Sequence, residues 1–174
     1  TIGRWSWNIV TNTAIGSWTL FSTTTGNENS AMWVNSLMSN TIGFQNSAMG
    51  YASLSSNIDG SYNTAHWYNS LSQNTSWWAN TAIWDSVLWV NINGGWNTWI
   101  WGRSLYSNTS WTNNTALWVE ALRSNLTAND NVAAWFQSLY SNTTGNSNSA
   151  YGFQSLYSNI TWNNNTVIGY SAWM

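Results

Sequence analysis

The chain lacks cysteine, proline and lysine, and only 5% of its 174 residues carry charge. Each absence removes a class of protein. Without cysteine there is neither a disulfide framework nor a thiolate metal site. Three arginines against five acids, a net charge of −2, leave no basic patch to hold phosphates, which argues against nucleic-acid binding. No apolar run approaches the roughly 18 residues of a membrane span. The chain also starts at Thr1 with neither Met nor a secretion signal, as expected of a segment cut from something longer.

Polarity comes instead from Asn, Ser and Thr, set among 17 tryptophans. A polar, low-complexity chain can be disordered, but the aromatic and aliphatic letters here are too regularly spaced for that. Gly16, Trp33, Gly50, Trp67, Trp84, Trp101, Trp118, Trp135, Gly152 and Gly169 are each 17 residues apart. With that column as position 1, residues 1–15 form a shortened lead-in, 16–168 hold nine full repeats, and 169–174 begin a tenth.

Other columns are as strict. Position 5 is Leu in all nine repeats, from Leu20 to Leu156, and position 14 is always Asn, from Asn29 to Asn165. Position 8 is Asn except at Thr23, position 16 is mostly Ala, and position 17 is mostly aliphatic. The consensus reads G-[YF]-x-S-L-x-S-N-T-T-G-x-x-N-T-A-I. Helical repeats need about 33 residues or more for a helix pair. Each half of this unit offers only a short β-leaning stretch, N-T-A-I-G-Y or S-L-x-S-N-T, bounded by Asn and Gly.

One repeat therefore makes one coil of an all-β parallel solenoid, stacked at about 4.8 Å per coil. Leu packs on Leu, and Asn amides form ladders, as in cross-β stacks. Glycine at positions 1 and 11 supplies a conformation or closeness that a Cβ forbids. The expected inward residues are the Leu, the position-17 aliphatic and the aromatic of position 2. That filling is thin for a lone tube, so several chains are expected to associate, with the Ala column of position 16 facing the neighbouring subunit.

The repeat, for instance "GFQSLYSNITWNNNTVI" at 152–168, resembles the head repeats of trimeric autotransporter adhesins and the related repeats of phage tail-fibre-like surface proteins. "NTAIG" at 12–16 and "NTVIG" at 165–169 match the adhesin core motif N-S-V-A-I-G. The resemblance implies a left-handed parallel β-roll, a homotrimer, an extracellular, cell-surface or virion tail-fibre location, and a structural or adhesive role facing a host glycan or protein. It implies no enzyme and no cofactor. Other readings are an ice- or glycan-binding solenoid and a polysaccharide-cleaving tail spike. The Thr column of position 9 is interrupted by Ile58, Ile92, Leu126 and Ile160, which weakens the ice reading.

Catalytic and metal-binding residues are read as none. Of the acids Glu28, Asp59, Asp85, Glu120 and Asp130, only Glu28 and Asp130 share a column. They lie six coils apart, about 29 Å at the strand spacing, whereas a glycosidase pair sits within roughly 5–10 Å. His66 stands among the aliphatics of position 17 and reads as a core or interface histidine. Arg103 and Glu120 share position 3 in adjacent coils, an expected surface ion pair. Arg123 falls between Tyr106 and Tyr140 at position 6, an expected cation–π stack.

One column resists a physical account. Position 1 is Gly four times and Trp six times with nothing of intermediate size, and position 11 is Gly in five repeats, Trp in three (Trp77, Trp111 and Trp162) and Ala128 in one. Trp99 stands in the Ala column. A need for φ > 0 or close approach should exclude Trp. Some bacteria read UGA as glycine where a common alternative table reads tryptophan, so most of these letters are expected to be glycine. If the indoles are real, Trp67 to Trp135 form a ladder over five coils, suited to sugar faces.

Overall fold

The computed structural model describes residues 11–85, 94–104 and 112–174. Among them there is no helix. Ten short strands follow one another at the spacing of the repeat: β1 (Thr13–Ile15), β2 (Ser30–Met32), β3 (Ser47–Met49), β4 (Thr64–His66), β5 (Thr81–Ala82), β6 (Thr98–Trp99), β7 (Thr115–Ala116), β8 (Val132–Ala133), β9 (Ser149–Tyr151) and β10 (Thr166–Ile168). All pair in parallel, in chain order, in one sheet. The register is the sequence period itself: Ala31 lies beside Ala48, and Ala48 beside Ala65. The fold is a parallel β-solenoid with one 17-residue repeat per coil, about 43 Å over nine strand spacings.

The N-T-A-I segment forms the strand because its letters alternate and its corner ends it. Position 16 faces in: Ala31, Ala48, Ala65, Ala82, Ala116, Ala133 and Ala150 are wholly buried, as is the Leu column from Leu37 to Leu139 wherever it is described. Position 17 faces out, with Ile15 41%, Tyr151 42% and Ile168 76% exposed. This inverts the expectation. Of the three columns expected inside, only Leu is there, since the position-2 rings Tyr51 and Tyr68 are also exposed. The Ala column does not face a neighbouring subunit. The physical reason is width: a one-coil tube leaves little room beside the Leu column, and a methyl group fits what is left.

The coil turns its corners with left-handed residues. Positions 3, 5 and 13 have φ near +50 to +60° in coil after coil, including Leu37 (49°), Leu54 (51°) and Leu139 (51°). That conformation costs a β-carbon-bearing residue about 1–2 kcal/mol. Leu bears it because its side chain then points into the stack, where full burial gains about 1.5–3 kcal/mol.

The rest of the interior is largely polar, and two columns of Asn hold it together by hydrogen bonds. At position 14, the backbone N–H of Asn46 donates to Asn29 Oδ1 (3.0 Å), that of Asn63 to Asn46 (2.9 Å), and that of Asn80 to Asn63 (3.0 Å). The same chain of bonds runs on through Asn148 to Asn165. Amides of this column also donate forward to a position-11 carbonyl, as Asn29 does to Gly43 (2.8 Å) and Asn46 to Gly60 (2.9 Å). Only Asn offers a donor and an acceptor at this reach; Asp lacks the donor. At position 8, Asn57 Nδ2 donates to Asn40 Oδ1 (2.8 Å) and to Gly60 O (2.8 Å). These bonds explain the invariant Asn of position 14 and the Asn of position 8, which only Thr23 interrupts.

Candidate binding surface

Three sets of side chains line the outside of the described coils. The first is the outer face of the sheet. Its position-17 side chains form one line: Ile15, Met32, Met49, His66, Ile83, Ile100, Leu117, Ala134, Tyr151 and Ile168, each exposed or half-buried. Beside it runs position 15, Ser or Thr in every strand but β8, where it is Val132. Neither column carries an acid or an arginine. Sequence reasoning missed this strip because it took position 17 for core.

His66 lies in the strip between Met49 and Ile83. Its Nε2 is 3.4 Å from Ser47 Oγ. Partial burial among aliphatic neighbours lowers its pKa below the usual imidazole range. The sequence offered core or interface for this histidine; it lies half-buried on the outer face and not in the core.

The second column is the tryptophan edge. Trp67, Trp84, Trp101, Trp118 and Trp135 stack on five successive coils, their ring centroids 5.3, 4.9, 5.4 and 5.4 Å apart. Trp118 and Trp135 are parallel to within 1°. The ladder expected of real indoles is present, but its ring faces are turned to one another. A sugar stacks on an aromatic face, and within this ladder only the edges are left. The geometry therefore does not make the sugar platform that the column suggested.

Aromatic and charged side chains of positions 2, 3 and 6 make the third surface. Tyr51 stacks on Tyr68 (5.5 Å), and Phe136, Phe153 and Tyr170 form a run at 5.4 and 5.0 Å. The Arg123 guanidinium sits 5.5 Å over the Tyr140 ring and also donates to its hydroxyl. The expected stack on Tyr140 is thus present, whereas Tyr106 lies outside the described residues. Arg103 does not pair with Glu120. Glu120 instead takes Arg123 Nε at 3.9 Å and the Gln137 amide at 2.8 Å. Sharing a column fixes height along the rod and not side-chain direction, and Arg123, three residues on along the same turn, reaches the carboxylate.

The acids are held singly. Glu28 accepts from Gln45 (2.6 Å) and Asp130 from Asn113 (3.0 Å), each one coil away. Among the described residues no three His, Cys, Asp or Glu side chains gather as metal ligands would. Three Thr hydroxyls of position 9 are also engaged: Thr24 donates to Thr41 O, Thr41 to Ile58 O and Thr143 to Ile160 O, each at 3.1 Å. Comparison with protein-family models, with curated proteins and with solved structures finds no match.

Proposed function

We propose that this chain is a segment of an extracellular or virion-borne rod, structural and adhesive and not enzymatic, whose copies associate side by side through the position-17 strip. One observation carries the reading: an uncharged, largely apolar line about 43 Å long, one side chain per strand, on the outside of the sheet. Continuous apolar patches of this extent on a soluble surface mark interaction sites. A partner that matches every side chain must repeat at the same strand spacing, and a second copy of this chain in parallel register does so. The resemblance to adhesin heads and tail fibres supports three copies per rod. Polar and aromatic columns on the remaining sides then face the host glycan or protein.

Sedimentation equilibrium on the purified chain tests this. A trimer mass supports the reading, a dimer keeps the strip and removes the adhesin-like stoichiometry, and a monomer at all concentrations overturns the association.

A second reading rests on position 15. Thr64, Thr81, Thr98 and Thr115 lie on four successive strands, which sets their hydroxyls at strand spacing on a flat face, as an ice binder requires. Freezing hysteresis measured on the dissociated chain would favour it, and its absence would remove it.

A further inference from the structure

We infer that the tryptophans of positions 1 and 11, together with Trp99, are glycine in the protein as its own source makes it, each being encoded by UGA. Three separate features of the fold point the same way.

The first is space. A Cβ built on Gly43 would lie 2.3 Å from Gly60 O, and one on Gly145 2.3 Å from Trp162 O, both at position 11. At position 1, a Cβ on Gly50 would lie 2.4 Å from Trp67 O, and one on Gly152 2.3 Å from Gly169 O. Real Cβ atoms do not approach backbone oxygen so closely, so at these four glycines a side chain would force the coils apart; at position 11 the one side chain other than an indole is the methyl group of Ala128.

The second is the corner of the strand. Strands β1, β3, β9 and β10 run into Gly16, Gly50, Gly152 and Gly169, and each keeps three residues. Where the next residue is Trp, one of two things happens. After β2 and β4 the strand keeps its length, and Trp33 and Trp67 take φ of 91° and 85°, a region that glycine enters freely and other residues rarely. After β5, β6, β7 and β8 the corner residue is Trp84, Trp101, Trp118 or Trp135, and the strand is cut to two residues. The corner N–H donates back to a position-17 carbonyl at Trp33 and Gly50 (2.8 and 3.1 Å), whereas the Trp135 N–H turns to Ser138 Oγ (3.2 Å). Each indole costs the coil either backbone strain or a rung of the ladder.

Trp99 supplies the third feature. It is wholly buried in the Ala column, and its Nε1–H has no hydrogen-bond partner. A buried indole N–H almost always finds one. Glycine there leaves no polar atom stranded and fits a wall built for a methyl group.

With glycine at the corners, the tryptophan edge disappears and recognition falls to the remaining columns.

Reading the gene and the protein together tests the inference. The codons of residues 84, 101, 118 and 135 are expected to be UGA. Mass spectrometry of the protein from its native source is expected to give one and the same mass for the stretches 135–142 and 152–159, which differ only in their first letter. UGG codons would overturn the inference. So would UGA codons with tryptophan found at residue 135.

Discussion

The side-chain amide of Asn46 donates to Asn29 Oδ1 at 3.1 Å, though 17 residues of chain separate them. It also reaches Gly60 O in the following coil, and its own oxygen receives the Asn63 N–H. One side chain thus ties three coils together, and a column of them replaces much of the apolar core that so narrow a tube cannot hold.

Asn46→Ala strands the Asn63 N–H in a buried site and removes one of the two amides that reach Gly60 O. A buried unmet donor or acceptor costs about 1–3 kcal/mol. The expected loss is about 2–4 kcal/mol in a urea melt, with no change in exposed surface. A loss below about 0.5 kcal/mol would show that the ladder is idle.

Thr23 is the one described break in the position-8 column. It is buried, and its hydroxyl has no partner. Asn at this place can accept from Asn40 Nδ2 and donate to Gly26 O, as Asn40 does to Gly43 O at 2.9 Å. Thr23→Asn is therefore expected to stabilise the chain by about 1 kcal/mol, read as a higher denaturation midpoint at unchanged slope.

The inward Ala column and the outward position-17 column respond oppositely to size. Ala65→Leu forces three extra carbons into a closed wall and is expected to cost about 1–3 kcal/mol or more. Met49→Leu, one residue along from Ala48 and 38% exposed, is expected to change the stability of the single chain by less than about 0.5 kcal/mol. If the two swaps behaved alike, the assigned inside and outside would be wrong.

His66 gives the strip a pH dependence. Burial lowers its pKa in the folded state, so the unfolded chain binds the proton more readily. Stability is therefore complete above the unfolded value of about 6.5 and falls as pH drops through it, levelling off below the folded pKa. Denaturation midpoints at pH 8 and pH 5 are expected to differ in the native chain, and His66→Leu is expected to shrink that difference.

The period, the parallel stacking and the Leu and Asn columns were legible because stacking repeats one environment in every coil, so a demand made once is made nine times. The face of the strand was not legible. Alternation in N-T-A-I separates two sides without naming the inner one, and hydrophobicity favoured Met49 or Ile83 over Ala48 and Ala82. The left-handed turn at Leu37 or Leu139 left no local trace either, since Leu has no intrinsic preference for it. Tertiary closure imposes it. Arg123 was found beside Tyr140 because both features lie in one column, while its reach to Glu120 crosses columns and depends on rotamer.

A cysteine placed on the strip tests the assembly most directly, since the chain has none of its own. Ile83→Cys, in the middle of the outward line, is expected to form copy-to-copy disulfides under mild oxidation. Mixed with Met49→Cys chains, it is expected to link only like with like, because parallel copies in register hold the same residue at the same height. Thr41→Cys, away from the sheet face, is expected to stay unlinked. Equal linking at residues 41 and 83, or none at residue 83, would contradict a rod built by association through position 17.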